Sequence, residues 1–199
     1  MRPSDPKRAE ARALDILRAA LRCFVRTGFS ATSMRQIAQE AGVSLGLLYR
    51  YFANKAAIVG AAIEADSGEF LRRLAELTAA RLTEALLLDF LEREVALRSQ
   101  PEEFALASEI LAEAARDPRI AGLIRANIEA AEAALAEALL TMAGGLEQAG
   151  NAGKSRLRAR HLAGLVDMLA ARLFLGLDAA VRDTLRTGLA LACGDGGSP

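Results

Sequence analysis

The chain has 199 residues, 52% hydrophobic and 25% charged, enough to bury a core and to exclude a disordered or solvating protein. Basic and acidic residues balance at 25 each, yet the first 60 residues carry ten basic against four acidic side chains, a net +6. A basic head on an acidic body points to nucleic acid at one end, although chance surface charge can produce the same count.

Ala, Leu, Arg and Glu dominate nearly every segment and strand-type alternation is absent, so the fold class is all-α. A first helix over 11–26 carries Leu14, Leu17, Leu21, Phe24 and Val25 at three- and four-residue spacing, and stops at Thr27-Gly28. Thr32 or Ser33 caps a short second helix through Ile37, Ala38 and Ala41, ended by Gly42. Ser44 caps a third, running to about Phe52, and Asn54 opens a fourth through Ile58, Ala62 and Ile63. Beyond residue 66 the helices lengthen, with breaks at Ser99-Gln100-Pro101, Asp117-Pro118, Gly150–Gly153 and Gly176-Leu177-Asp178. Gly144-Gly145 is expected to weaken the end of one long helix, and residues 194–199 form a low-complexity tail.

Two short helices joined by a turn containing Gly make a helix-turn-helix pattern over about 33–52. Ala38 permits close packing, Gly42 takes the turn, Val43 plugs the corner, and Ile37, Leu48 and Phe52 supply a shared core. An ordinary helical corner asks for the same residues. It has no use, however, for Tyr49 and Tyr51, the two tyrosines of the chain, with Arg50 between them and Lys55 at the next helix start. Tyr hydroxyls, Lys ammonium groups and helix N-termini bind phosphate oxygens.

Through Gly28-Phe29, Thr32, Ile37-Ala38, Ala41-Gly42-Val43-Ser44, Gly46, Leu48-Tyr49, Tyr51-Phe52 and Lys55, residues 10–65 resemble the TetR family of bacterial transcriptional regulators. Ala56 departs from the pattern, since an acidic residue commonly follows the lysine; the loss is a first-turn dipole contact. The resemblance implies a three-helix DNA-binding domain at 10–66, followed by a helical-bundle ligand-binding and dimerisation domain at 67–199. It implies that Thr32, Ser44, Tyr49, Tyr51 and Lys55 hold phosphates, and that Leu45, Gly46, Leu47 and Arg50 face or border base edges. Arg35 matches a position that reads a guanine in some members. The two leucines offer no hydrogen bonds, so they read thymine methyls or groove shape, unless they only pack the corner.

Residues 71–199 contain neither Tyr nor Trp, and their broad apolar stripes need partners on more than one side. The last two helices, near 155–176 and 178–193, carry Leu162, Leu165, Val166, Leu169 and Leu173, then Val181, Leu185, Gly188 and Leu189. By resemblance they pair with a two-fold mate through about 155–193; alternatively they close the monomer's own core. A pocket lined by Phe90, Phe104, Asn127 and Thr141 suits a small hydrophobic effector, although Asn127 equally suits a bond to a neighbouring helix. His161, in register with Leu165 and Met168, reads as an interior or interface residue, and Cys23 as an inert small hydrophobe.

Cys23 and Cys193 make neither a disulfide framework nor a metal site, and no cofactor or catalytic motif is visible. No apolar run reaches membrane-span length and the N-terminus lacks a secretion signal, so a cytoplasmic protein is expected. These features point to a dimeric repressor that binds a palindromic operator and is released by the effector. Two further readings stand beside it: a DNA-binding regulator switched by a protein partner, and a helical-bundle carrier or enzyme whose corner is structural.

Overall fold

The computed structural model describes residues 6–79, 82–142, 152–177 and 180–193. Among them are nine helices and no strand: α1 (Pro6–Thr27), α2 (Met34–Glu40), α3 (Leu45–Tyr51), α4 (Lys55–Ala79), α5 (Glu84–Arg98), α6 (Pro101–Ala114), α7 (Pro118–Met142), α8 (Ala152–Phe174) and α9 (Val181–Cys193). The helix α1 starts five residues earlier than its apolar periodicity shows. Pro6 presets the first turn, and Lys7, Arg8, Ala9 and Glu10 are good helix formers without an apolar stripe. Pro101 and Pro118 also stand first in their helices, where a missing N–H costs nothing. The expected weakening at Gly144-Gly145 and the tail at 194–199 lie outside the described residues.

Side-chain caps fix the short helices. Ser33 accepts from the Gln36 N–H at 3.2 Å while the Gln36 side chain accepts from the Ser33 N–H at 2.7 Å, a reciprocal capping box. Ser44 Oγ accepts from the Leu47 N–H at 3.2 Å, and Asn54 Oδ1 from the Ala57 N–H at 2.9 Å. Gly42, at φ +64°, supplies the left-handed residue that turns the chain from α2 into α3.

The chain forms two packing units. One comprises Met1–Asp66 with Ala105–Arg125; the other comprises Ser67–Phe104 with Ala126–Pro199. The first unit is built on Ile16, Phe24, Ile37, Leu48, Ile58 and Ile120, with Leu106, Ile110, Leu123 and Ile124 packed against them. A division at 66/67 leaves those α6 and α7 side chains with the C-terminal part, whereas they cover apolar surface of the head. Cys23 lies in this core at 1% exposure, and loss of hydration raises its thiol pKa above the ordinary value.

The second unit is built on Leu74, Leu87, Leu91, Leu135, Leu162 and Leu169, joined by Val166, Leu185 and Leu189. Val166 and Leu169 therefore serve this unit's own core, which leaves Leu157 and Met168 as the large apolar side chains that α8 exposes along its length before residue 173. Glu94, a buried carboxylate of this unit, accepts from Arg73 Nε at 3.1 Å and Nη2 at 2.8 Å. Among the described residues no helix is long and apolar enough to cross a membrane.

Candidate nucleic-acid interface

An α-helix turns about 100° per residue, so α3 sorts its seven side chains onto distinct faces. Leu48 and the following Phe52 are buried, and Leu45 packs partly against the same core. Opposite them stand Gly46, Leu47 and Arg50. Gly46 and Arg50 are exposed, and Leu47 is half-buried without joining the apolar side chains packed on the core. Tyr49 and Tyr51 flank this outward face on its two sides, Tyr49 at 50% exposure and Tyr51 resting partly on the core. Ser44 is exposed at the head of the helix.

The charges around α3 divide into those already paired and those left for a partner. Glu40 accepts from Arg22 at 3.0 Å and from Arg26 at 3.1 Å. Those two hydrogen bonds hold its carboxyl below the usual glutamate range, Arg22 contributing first. Arg35 and Arg50 are exposed and enter no ion pair among the described residues. Two guanidiniums beside an apolar step are the groups that read base edges in a major groove: Arg binds guanine O6 and N7, and an apolar side chain meets the thymine methyl.

Two of the side chains assigned to phosphates are committed elsewhere. Thr32 is 2% exposed, and its hydroxyl donates to the Gly28 carbonyl at 2.7 Å, beside the Thr27 hydroxyl at 2.7 Å. The return of the chain from α1 into α2 folds that hydroxyl inward, away from solvent. Lys55 donates from Nζ to the carbonyls of Phe29 and, at 3.2 Å, Ser30, and lies 4.4 Å over the Phe29 ring. Burial lowers its pKa from the ordinary lysine value, with Glu113 acting in the opposite sense. It clamps the α1–α2 turn through these two carbonyls. Leu45, expected at base edges, packs on the core instead.

Sequence reasoning missed Glu109 of α6, whose carboxylate accepts from the Phe29 N–H at 2.8 Å in the same unit. Eighty residues separate the partners, so no local pattern announces the bond. The four expected pocket residues stand in different settings. Phe90 is core, its ring 5.6 Å from that of Phe70; Phe104 stacks on Phe174 at 4.1 Å. Asn127 is half-buried, and Thr141 is exposed with its hydroxyl donated to Glu137 O at 3.0 Å. A groove of about 660 Å³ runs between α8 and α9, lined by Leu157, His161, Leu165, Thr187 and Gly188 among others. His161 is exposed at this groove, not interior.

Residues 16–62 match the family model of bacterial regulatory proteins, tetR family. The solved structure of Salmonella enterica GusR is 28% identical and superposes with a TM-score of 0.73 over 92% of this chain and 95% of that one. Residues 16–62 are thus a TetR-family segment. The HTH-type transcriptional regulator UidR of Escherichia coli is 31% identical over 113 residues, 55% of each chain. The chain spans about half or less of the length of the curated relatives it matches first. The Bacillus subtilis FadR structure in complex with stearoyl-CoA has a similar fold, with a TM-score of 0.68 at 19% identity over 90% of this chain and 96% of that one.

Proposed function

We propose that this chain is a sequence-specific DNA-binding transcriptional regulator of the cytoplasm, acting by binding and not by catalysis. One observation carries the proposal: α3 turns Gly46, Leu47 and Arg50 away from the core, with Tyr49 exposed beside them and Arg35 exposed on α2. This arrangement suits a recognition helix in the major groove, with Ser44, Tyr49 and Tyr51 at the flanking phosphates. Sites selected from random duplexes, followed by titration against salt, test it. Affinity is expected to fall with a log–log slope of about −0.9 per phosphate neutralised. A protein without salt-dependent duplex binding rules the function out.

The acting unit in this proposal is a two-fold dimer on a palindromic operator, formed by the α8–α9 groove of one copy against that of the other. Exposed Leu157 and Met168 supply apolar surface, and the groove holds basic Lys154 and Arg158 as well as acidic Asp183. Under a two-fold axis, opposite charges on the two copies can then face one another. A repressor of this kind is released when an effector binds one arrangement of the dimer more tightly than another. The aliphatic lining of the second unit favours a hydrophobic molecule. Thermal-shift screening followed by DNA release identifies it; hits confined to polyanions contradict an apolar effector.

A further inference from the structure

We infer that α3 reads the 5-methyl group of a pyrimidine through Leu47, with its backbone seated against the base edges at Gly46. The inference deepens the DNA-binding function proposed above and rests on it.

Gly46 has no internal explanation. It occupies the second position of a helix, where glycine is a poor helix former, and it is not among the glycines with positive φ. A Cβ built on it meets nothing within 4 Å. Neither the backbone conformation nor the packing of the head requires the missing side chain. The space it leaves opens on the outward face of α3, and a surface from outside the chain is what can use it.

Leu47 stands next to that space. It is partly exposed, contributes nothing to the apolar packing of the head, and lies one turn before Arg50 on the same face. The occupant is set by charge: Arg50 stands unpaired on this face and Arg35 unpaired and exposed on α2, in a segment of net +6, which suits a polyanion and not an apolar protein groove. In a major groove, the apolar group that a base edge offers is the C5-methyl of thymine, which 5-methylcytosine also carries. Arg50 beside it favours guanine at a neighbouring pair.

The test uses the full chain and the duplex selected for it. Uracil replaces each thymine in turn, which deletes one methyl and leaves the pairing intact. The expected result is one thymine position per recognition helix at which affinity drops about fourfold, the worth of one buried methyl. That thymine–uracil difference disappears in Leu47→Ala. Gly46→Ala is expected to raise the melting temperature by about 1–3 °C and to weaken DNA binding by at least about fivefold. Gains in stability and losses in affinity together are something a purely structural glycine does not give. Selected sites without a thymine at the contact, uracil tolerated at every position, or undiminished affinity in Gly46→Ala overturns the inference while the regulator function stands. Wild-type protein that shows no salt-dependent duplex binding removes both.

Discussion

Thr32→Val separates the two roles open to this residue, because valine keeps the shape and loses only the hydroxyl. That hydroxyl donates to Gly28 O at 2.7 Å, meets Thr27 Oγ1 at 2.7 Å and stands 3.3 Å from Cys23 O, all at 2% exposure. After the exchange no carbonyl is orphaned. Gly28 O keeps the Thr32 N–H at 3.2 Å, and Cys23 O keeps the Thr27 hydroxyl at 2.9 Å. The loss is therefore one net hydrogen bond, about 1–2 kcal/mol, and not the larger penalty of a buried unsatisfied group. For a chain of this size that lowers the melting temperature by about 2–8 °C. Calorimetry measures the stability, and anisotropy titration over a range of salt measures the DNA side. The salt slope is expected to stay unchanged, because the hydroxyl never reaches a phosphate. An unchanged melting temperature together with a slope shallower by about 0.9 refutes the inward role and restores a phosphate contact.

Glu40→Gln should destabilise the head at neutral pH and cease to matter in acid. The arginine pairing lowers the folded pKa of Glu40, so its stabilisation is present above the ordinary glutamate range and lost as pH falls through the lowered value. Urea melts at neutral and acidic pH check whether the gap between variant and wild type closes. Arg73→Met strands the Glu94 carboxylate, whose side chain is 5% exposed, and is expected to cost about 3–5 kcal/mol by urea denaturation. Adding Glu94→Leu should recover most of that loss, and failure to recover it contradicts a buried ion pair. Leu157→Glu is expected to yield folded monomers by light scattering, whereas Val166→Glu should unfold the second unit, since Val166 is 4% exposed in its core. A folded monomer from Val166→Glu would put that residue at the interface after all.

The corner of the head was legible because everything that makes it is local. Ser33, Gly42 and Ser44 sit within a dozen residues of one another, and each acts on backbone groups two or three positions away. The outward face of α3 follows from the same short helix. The internal bonds of Thr32 and Lys55 were not legible, because their oxygen partners, the carbonyls of Gly28, Phe29 and Ser30, are gathered by the return of the chain after α1, which spacing does not display. Farther along, the apolar series Ile120, Leu123, Ile124 and Leu135 reads as one stripe, yet Ile120 is buried in one core and Leu135 in the other. Periodicity reports that a face is covered and is silent about what covers it. For the same reason Val166 and Leu169 suited a second copy, with the monomer's own core as the alternative, and the core is where they are buried.

Cys23 gives the head a clock of its own. Its sulfur is sealed at 1% exposure and its thiol is held protonated by the surrounding core, so a thiol reagent acts on it only when the head opens. In a Cys193→Ser background the labelling rate then counts openings of this unit and ignores the other. A tenfold slower rate corresponds to about 1.4 kcal/mol of added protection. Labelling with and without duplex thus measures how tightly DNA holds the head shut, in a protein whose two units need not melt together.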